Sequence, residues 1–512
     1  MVGKYANALI EDPAANFVDY RGIPGEPDSE RSWFMVDQLV AECKNHHALC
    51  RAPQVGTLPS RIIELRAGVD DMIFPIVSHG RQGNYTALSY CWGGPQEIVA
   101  TKDRWEKLME GIPLQVLPKT IQDAVVVTRR LGHQYLWIDA LCILQDSEQD
   151  WLSEASKMAH IYGNACVTIS AAGGSDCNAG CFMKGKADPG QELGQLVLGL
   201  PNGDTGIIYL RVNNYYKPAN DPLNKRGWAL QERLLSPRLL IYSAGKVSWQ
   251  CQTKSGTQGI GSARLPNYFF DNLLTNGYKQ DWHSPSPKTD KNLFILWAQI
   301  ALDYSRRDLT YESDALPALS GLARRLQDIT GDEYLAGLWR ESLCKWLMWH
   351  TETYIKSRPL IYLAPTWSWL SLRGPILFVH SRFDSDSSRI KILDAVTILV
   401  GPDTTGPVSA GKITLCGQVK EVQRRGNEIW EVGTGQACKV GLALLDFFAE
   451  LVDAIEGPLS CLRVSEYNGL LLKPSGVDYQ RVGIFISDSK GDGEDVEKYP
   501  FKDWEMCTLT LV

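Results

Sequence analysis

Residues 85–94, YTALSYCWGG, form a β-prone stretch that ends in a double glycine, which predicts a strand that leads into a loop. Residues 117–132, LPKTIQDAVVVTRRLG, carry apolar side chains at helical spacing, with Pro118 in the first turn and Gly132 as the stop. The chain continues with a predicted strand at 135–138, a loop at 139–149, a helix at 150–163 and a strand at 165–172. This alternation predicts an α/β fold, in which a parallel sheet carries helices on both faces.

The flanking sequence predicts the rest of the organisation. Residues 1–57 are polar and irregular, with one helix expected near 33–48. Further predicted elements are a hairpin from 61–65 and 72–77, a variable stretch at 183–222, a helix, turn and strand at 226–242, a strand at 247–251, and helices at 293–301, 316–329 and 335–350. The predicted domains are an N-terminal lead-in (1–57), a core domain (58–251), a helical Trp-rich region (252–374) and a mostly β C-terminal region (375–512).

Composition limits the classes of partner. The 512 residues are 44% hydrophobic, and 52 Lys and Arg residues against 59 Asp and Glu residues give a formal net charge of −7. This balance provides no basic surface for phosphate backbones or anionic lipid, so neither nucleic acid nor a membrane is predicted as a partner. The sequence has no secretory pattern and no apolar run of the roughly 18–20 residues that span a bilayer, which predicts a cytoplasmic protein. Its 16 tryptophans are dispersed, which is typical of core packing.

The 13 cysteines are scattered along the chain without the dense framework of small secreted domains, which predicts reduced and mostly buried thiols. Two groupings could ligate a metal: the C-x3-C formed by Cys177 and Cys181, and a loose Cys/His cluster over residues 43–50. A structural zinc site normally presents two ligand pairs at tighter spacing. The sequence therefore predicts no metal.

Sheets of the predicted kind bind ligands outside the carboxyl ends of their strands. This places residues 89–94 and 139–146 at the rim where chemistry would occur. Asp139 directly follows an apolar strand and is either a functional carboxylate or a cap of the following loop. Trp92 and Gly93 either form a stacking floor for a planar ligand or make a tight turn packed by an aromatic ring.

Other rim residues are candidates for ligand binding, namely Tyr90, Cys91, Cys142, Gln145 and Asp146. Cys142 could act as a nucleophile if a histidine approached it. The sequence contains no legible Cys/His arrangement, so nucleophilic catalysis is not favoured.

A second candidate group occupies the helix predicted after residue 225. Arg226, Trp228, Gln231, Glu232 and Arg233 crowd about one and a half helical turns. Arg226 and Arg233 lie seven positions apart and are expected to share a face. They suit either a salt-bridge network with buried carboxylates or a clamp for a diphosphate. The network is favoured, because the same helix carries core residues.

Five motifs follow one another along this part of the chain. They are YxALSYCWG from Tyr85, LPKTIxDA from Leu117, YLWIDxLCIxQD from Tyr135, DWxxExxxMxxIY from Asp150 and RGWxLQERLLSPR from Arg226. In order and spacing they resemble the blocks of the fungal heterokaryon-incompatibility (HET) domain, over roughly residues 58–251. The resemblance implies a role in fungal non-self recognition and programmed cell death.

HET domains are thought to be distantly similar to Toll/interleukin-1 receptor (TIR) domains, some of which cleave NAD. Ser89 then resembles the end of the first TIR strand, and Glu154 resembles the catalytic glutamate at a helix start. The resemblance thus implies a TIR-like core in which Glu154, Asp139 and Ser89 are catalytic, with NAD as a possible substrate and no resident cofactor. Glycosidic cleavage requires such a carboxylate. In the alternative interpretation Glu154 only favours the helix dipole.

Three functions remain open at this point. The first is an effector that hydrolyses NAD or a related nucleotide. The second is a non-enzymatic interaction or regulatory module that self-associates or binds a partner protein, in which Glu154 is packed away or salt-bridged. The third is a stand-alone HET-like enzyme for a small apolar, secondary metabolite, with an aromatic-lined pocket. The sequence contains no P-loop and no WD40 or ankyrin repeats, which favours the third function over a receptor-linked immune role.

Overall fold

A computed structural model describes most of the chain. The described residues are 3–8, 12–16, 20–21, 27–47, 50, 56–183, 192–213, 220–243, 246–253, 255–257, 290–352, 358–379, 388–432, 439–447, 458–487, 501 and 504–512. The chain divides into two compact units, Met1–Ser286 and Pro287–Val512. No helix in the described ranges is long and apolar enough to cross a membrane.

The first unit contains both strands and helices. Its described strands are β1 (Gly3–Ala8), β2 (Tyr20–Arg21), β3 (Gly56–Thr57), β4 (Arg61–Glu64), β5 (Met72–Val77), β6 (Gln82–Gly83), β7 (Tyr85–Ser89), β8 (Ile112–Pro113), β9 (Tyr135–Trp137), β10 (Val167–Ser170), β11 (Glu192–Gly199), β12 (Thr205–Asn213), β13 (Arg238–Ser243), β14 (Lys246–Cys251) and β15 (Ser255–Thr257). Its described helices are α1 (Glu30–His46), α2 (Trp105–Met109), α3 (Lys119–Arg130), α4 (Asp139–Cys142), α5 (Glu148–Ala155), α6 (Met158–Asn164) and α7 (Gly227–Leu235). Short 3₁₀ helices occupy Pro13–Asn16, Leu114–Val116 and Pro222–Lys225.

One large mixed sheet organises the first unit. Within the described residues its strand order is β15-β14-β13-β10-β7-β9-β4-β5-β8. The four strands β13, β10, β7 and β9 pair in parallel, whereas β4, β5, β8, β14 and β15 pair antiparallel. The predicted α/β class is confirmed. The sheet is mixed rather than parallel, because hairpins extend both sides of its parallel centre.

Several helices and strands lie where the apolar patterns of the sequence predicted them. All five residues of β7 are buried, and β4 and β5 form the predicted hairpin. Helix α3 buries Ile121, Ala124, Val125 and Thr128, which recur at the spacing of one helical face. These apolar faces join the core of the first unit.

Two predictions around the α4–α6 segment are wrong in detail. The predicted loop at 139–149 contains the short helix α4, and the predicted single helix at 150–163 is two helices. The break falls at Ser156 and Lys157. The Ser156 hydroxyl donates to the carbonyl oxygen of Ser153 at 2.7 Å, a side-chain contact that competes with the helical backbone pattern.

The lead-in and the variable stretch also contain regular structure. Strand β1 pairs antiparallel with β12, and the sheet order is β11-β12-β1-β2. The helix expected near 33–48 is confirmed as α1, which begins after Ser29, whose hydroxyl accepts from the backbone N–H of Ser32 at 3.2 Å. Strand β1 therefore forms in a segment without a regular sequence pattern, because it pairs with β12 about 200 positions away in the sequence.

The second unit is largely β, as predicted for its C-terminal part. Its described strands are β16 (Tyr334–Leu335), β17 (Leu338–Trp339), β18 (Trp349–Thr351), β19 (Ile376–Phe378), β20 (Ile390–Leu399), β21 (Val408–Arg425), β22 (Glu428–Glu431), β23 (Lys439–Leu445), β24 (Leu459–Arg463), β25 (Asn468–Ser475), β26 (Asp478–Ile486) and β27 (Glu505–Leu511). Its described helices are α8 (Asp290–Tyr304), α9 (Pro317–Thr330) and α10 (Leu343–Trp346), with 3₁₀ helices at Glu312–Ala315 and Trp369–Ser371.

The predicted helix at 335–350 is wrong. The segment instead forms the hairpin β16–β17, the short helix α10 and strand β18. Ala336 and Gly337 have positive φ values of 44° and 102°, which end any right-handed helix. The interpretation of tryptophans as core residues is confirmed in this unit, since Trp297 and Trp367 are fully buried.

Candidate functional site

The parallel centre of the sheet positions the candidate site. Strands β7 and β9 are neighbours and run in the same direction, so their carboxyl ends meet at one edge. Ser89 is the last residue of β7, and Asp139 begins α4 two residues after β9. The structure therefore brings the predicted Ser89 and Asp139 to the same edge, as expected for a ligand site of an α/β sheet.

The carboxylate of Asp139 is held by the loop that follows β7. Its Oδ2 accepts from the indole Nε1 of Trp92 at 2.9 Å, and its Oδ1 accepts from the backbone N–H of Ala140 at 2.7 Å. Both interpretations of Asp139 thus have a physical basis, because the side chain accepts from the backbone of the segment that follows and also remains partly exposed at the sheet edge.

A second carboxyl group reaches this edge from α7. The hydroxyl of Ser89 donates to Oε2 of Glu232, whose side chain is buried at 7% exposure. Arg226 and Asp139 lie near enough to act electrostatically on Glu232. We call Ser89, Asp139, Arg226 and Glu232 the carboxylate cluster.

Burial changes the protonation of both acids. Burial raises the pKa of Glu232 to about 7, and the negative charge of Asp139 adds to this rise. The charge of Arg226 and the hydrogen bond from Ser89 act in the opposite direction. Burial likewise raises the pKa of Asp139, again against the charge of Arg226. Perturbed pKa values at a sheet edge are typical of functional sites, although ion-pair networks also produce them.

The loop after β7 is fixed from several sides. Arg226 donates from Nη1 to the carbonyl oxygen of Tyr90, and Gln96 donates to the Tyr90 hydroxyl at 2.9 Å. Tyr162 donates its hydroxyl to the carbonyl oxygen of Leu88 at 2.9 Å. Its side chain also acts to lower the pKa of Glu232. Sequence reasoning did not single out Tyr162, although it belongs to the fourth motif of the chain.

Gly93 is required by packing. Its φ of 75° is left-handed, and a Cβ added there would lie 2.1 Å from the Cβ of Asp176. Trp92 is half-buried, whereas Gly93 is exposed. The indole bond to Asp139 and the tight approach to Asp176 agree with a tight turn that is packed by an aromatic ring. The stacking floor for a ligand stays a prediction.

Glu154 lies in a different environment. Its side chain is 3% exposed and its Oε1 is 2.8 Å from Nζ of Lys157. None of the described hydrogen bonds joins it to the carboxylate cluster. On the same helix, Asp150 accepts from Nη2 of Arg61 at 2.5 Å and from the backbone N–H of Leu144 at 2.8 Å. Helix α5 therefore carries two carboxylates paired with basic side chains, and the buried Oε2 of Glu154 has no hydrogen-bond partner among the described residues.

The thiols of Cys91 and Cys142 are poor nucleophiles in this environment. Burial raises the pKa of Cys91 to about 11 and that of Cys142 to about 12. Both are therefore protonated at neutral pH, and a thiol attacks far more slowly than a thiolate.

The remaining candidates act mainly on the backbone or in packing. Gln145 donates to the carbonyl oxygen of Ile143 at 2.9 Å, and Asp146 accepts from the backbone N–H of Lys102 at 3.0 Å. Trp228 packs edge-to-face against Trp151 at 6.2 Å between ring centroids.

Helical spacing does not place Arg226 relative to Arg233. Arg226 is the extended residue before α7, with φ −83° and ψ 137°, so it lies outside the helix, and a shared face with Arg233 stays a prediction. Gln231 and Glu232 lie on α7 and are buried. The extended backbone directs Arg226 to the loop after β7, which places it in the carboxylate cluster.

Comparison with protein families identifies this part of the chain. Residues 85–232 match the family model described as Heterokaryon incompatibility protein (HET). The chain contains a HET domain. No curated protein and no solved structure matches the chain. The matched range of the HET domain includes every member of the carboxylate cluster, from Ser89 to Glu232.

Proposed function

We propose that this HET domain carries out a heterokaryon-incompatibility-type function by hydrolysing the bond between nicotinamide and ribose in NAD or a related nucleotide. The observation that supports the proposal is the carboxylate cluster. Two carboxyl groups with raised pKa values and one arginine meet at the carboxyl ends of parallel strands, where sheets of this kind bind ligands. The TIR-like ancestry expected from the sequence is part of this proposal.

Each group of the carboxylate cluster suits one part of the nucleotide. Arg226 is half-buried and would bind the diphosphate, because a guanidinium donates in pairs to phosphate oxygens. Asp139 is partly exposed and would lie beside the ribose, where a carboxylate stabilises an oxocarbenium-like transition state. Ser89 would orient Glu232 through their hydrogen bond.

The reaction consumes one water molecule. The glycosidic bond breaks with its electron pair on nicotinamide, which leaves as a neutral base, and the water oxygen forms the new bond to the anomeric carbon. Glu232 takes the proton of that water, since a carboxyl group with a pKa of about 7 is deprotonated in a large fraction of molecules at neutral pH. The products are nicotinamide, ADP-ribose and one proton.

The test is incubation of the full chain with NAD over a range of protein concentrations, with nicotinamide and ADP-ribose quantified by chromatography. We expect equal amounts of both products from the wild type. Asp139→Asn should lower kcat by roughly a hundredfold or more. The exposed Asp103 provides a matched control, and Asp103→Asn should retain the wild-type rate. Full activity of folded Asp139→Asn, or no product at any concentration, would overturn the proposal.

Glu154 favours a second candidate, a non-enzymatic interaction module. Its carboxylate is buried and paired with Lys157, as that hypothesis requires. Such a module would act through self-association or a partner protein. Sedimentation of the wild type that shows reversible, concentration-dependent dimers, together with no nicotinamide release by those dimers, would favour this candidate. An enzyme for a small apolar metabolite stays a prediction of the sequence.

A further inference from the structure

Four potential metal ligands meet in the first unit, outside the range that matches the HET family. They are Cys43, His47, Cys50 and Cys251, and one ligand atom from each lies within 4.8 Å of all the others. Cys43, Cys50 and Cys251 are buried free thiols. We call these four residues the Cys₃His cluster.

The fold explains how the cluster forms. Cys43 lies in the last turn of α1, and His47 is the extended residue that directly follows the helix, so both are positioned by its C-terminal end. The Cys50 backbone N–H donates to the His47 carbonyl oxygen at 3.0 Å, which holds Cys50 beside the end of α1. Cys251 is the last residue of β14. In the sequence it follows the range that matches the HET family, whereas the other three ligands precede that range. The cluster therefore connects α1 to β14, which lies between β15 and β13 in the large sheet.

The geometry suits a tetrahedral ion. The Nδ1 of His47 lies 3.4 Å from Sγ of Cys251 and 3.8 Å from Sγ of Cys50. Zinc bound to sulfur at about 2.3 Å and to nitrogen at about 2.0–2.1 Å places those two atoms roughly 3.6 Å apart in a tetrahedron. The observed distances lie on either side of that value. Three cysteines and one histidine are a common zinc donor set.

Surrounding residues orient these ligands. The Nε2 of His47 lies 3.6 Å from Oε1 of Glu42, which leaves Nδ1 directed at the sulfur atoms. Metal-bound histidines usually have a carboxylate, carbonyl or water on the side of their second nitrogen, and Glu42 lies on that side of the ring. Thr253 places its hydroxyl 3.4 Å from Sγ of Cys50. If the three cysteines and His47 were only packed in an apolar core, the polar contacts from Glu42 and Thr253 would not stabilise it.

Charge balance gives an independent argument. Arg238 is 3% exposed, and its Nε donates to Sγ of Cys43 at 3.3 Å while its Nη2 donates to the Cys50 carbonyl oxygen at 3.1 Å. A buried guanidinium requires negative charge nearby. Three thiolates and one divalent cation carry a net charge of −1, which Arg238 neutralises.

From these contacts we infer that Cys43, His47, Cys50 and Cys251 bind one structural zinc ion that ties helix α1 to strand β14. Four protein ligands close the coordination sphere, so the ion stabilises the fold and does not activate water. The sequence alone did not reveal this donor set, because the fourth ligand, Cys251, is about 200 positions from the other three. Cys177 and Cys181 belong to no group of three or more potential ligands among the described residues.

The test is metal analysis of the full chain, purified under reducing conditions without chelator. We expect about one zinc per wild-type chain, and far less than one in Cys251→Ala. The matched control is Cys166→Ala, since Cys166 is also a buried free thiol of the first unit but lies outside the cluster. It should retain about one zinc per chain. A wild type that remains metal-free after incubation with zinc, or that forms a disulfide among the three cysteines, would overturn the inference.

A second measurement separates loss of metal from loss of fold. Replacing zinc with cobalt should give the intense absorption of tetrahedral thiolate coordination in the wild type, and His47→Cys should keep the metal while changing that spectrum. His47→Ala should weaken metal retention. A chelator should lower the melting temperature of wild type and of Cys166→Ala, because binding to the folded state stabilises it. Spectra that are identical for wild type and His47→Cys would exclude His47 as a ligand and contradict the inference.

Discussion

Replacing Glu232 with glutamine should change how stability depends on pH. Burial raises the pKa of Glu232 from an ordinary 4.5 to about 7. The unfolded chain has the ordinary value, so between these pH values the folded protein binds more protons than the unfolded one. The stabilising contribution of the protonated carboxyl group is therefore complete below pH 4.5 and is lost as the pH rises through 7.

The size of the effect follows from the two pKa values. One pKa unit corresponds to about 1.4 kcal/mol, so deprotonation of Glu232 lowers the free energy of unfolding by roughly 3 kcal/mol between pH 4.5 and pH 7. Glutamine does not titrate, and its amide oxygen can still accept the hydrogen bond from Ser89. Relative to wild type, Glu232→Gln should gain about that amount of stability over this range.

The assay is urea unfolding followed by tryptophan fluorescence at several pH values. Glu106→Gln is a matched control, because Glu106 is exposed, and its curve should run parallel to that of wild type. Titrations of groups that do not interact with Glu232 are common to wild type and Glu232→Gln and cancel in the difference. Parallel curves for Glu232→Gln and wild type would refute the reasoning about the buried carboxyl group.

Three further changes test other parts of the fold. Arg481 is fully buried and pairs with Asp446 at 2.5 Å, so Arg481→Met should cost about 3–5 kcal/mol of stability in urea unfolding, and adding Asp446→Leu should recover most of it. Gly93→Ala should lower the melting temperature through its collision with Asp176, and Asp176→Gly should partly restore it; an unchanged melting temperature would contradict the contact. Burial lowers the pKa of His133 from 6.5 to about 4, so the neutral imidazole contributes stability that is lost as the pH falls through that range, and in thermal unfolding the stability of His133→Gln relative to wild type should rise as the pH falls.

Local patterns were sufficient for much of the sheet. Alternating and continuous apolar runs predicted the hairpin β4–β5 and the strands β7, β9 and β10, because their side chains enter one core. The same reasoning failed at 335–350, where Leu and Trp have helical spacing but positive φ values at Ala336 and Gly337 turn the chain. Periodicity reports which side chains are buried and does not report backbone turns.

The candidate site was predicted in part. Ser89 and Asp139 could be placed because strand ends meet at one edge of a parallel sheet. The environment of Glu232 could not be predicted, since its pKa depends on burial and on the approach of Arg226 from an extended residue before α7. Long-range pairing also gave β1 its place in a sheet, and nothing local in the sequence signals such pairing.

The most direct test of the proposed activity compares two glutamates of the HET domain. Nicotinamide release from NAD should fall by roughly a hundredfold or more in Glu232→Gln, the size expected for loss of a general base. Glu154→Gln should stay close to wild type, because Glu154 is paired with Lys157 away from the carboxylate cluster. Loss of release in Glu154→Gln with Glu232→Gln unaffected would contradict the account and assign the chemistry to Glu154.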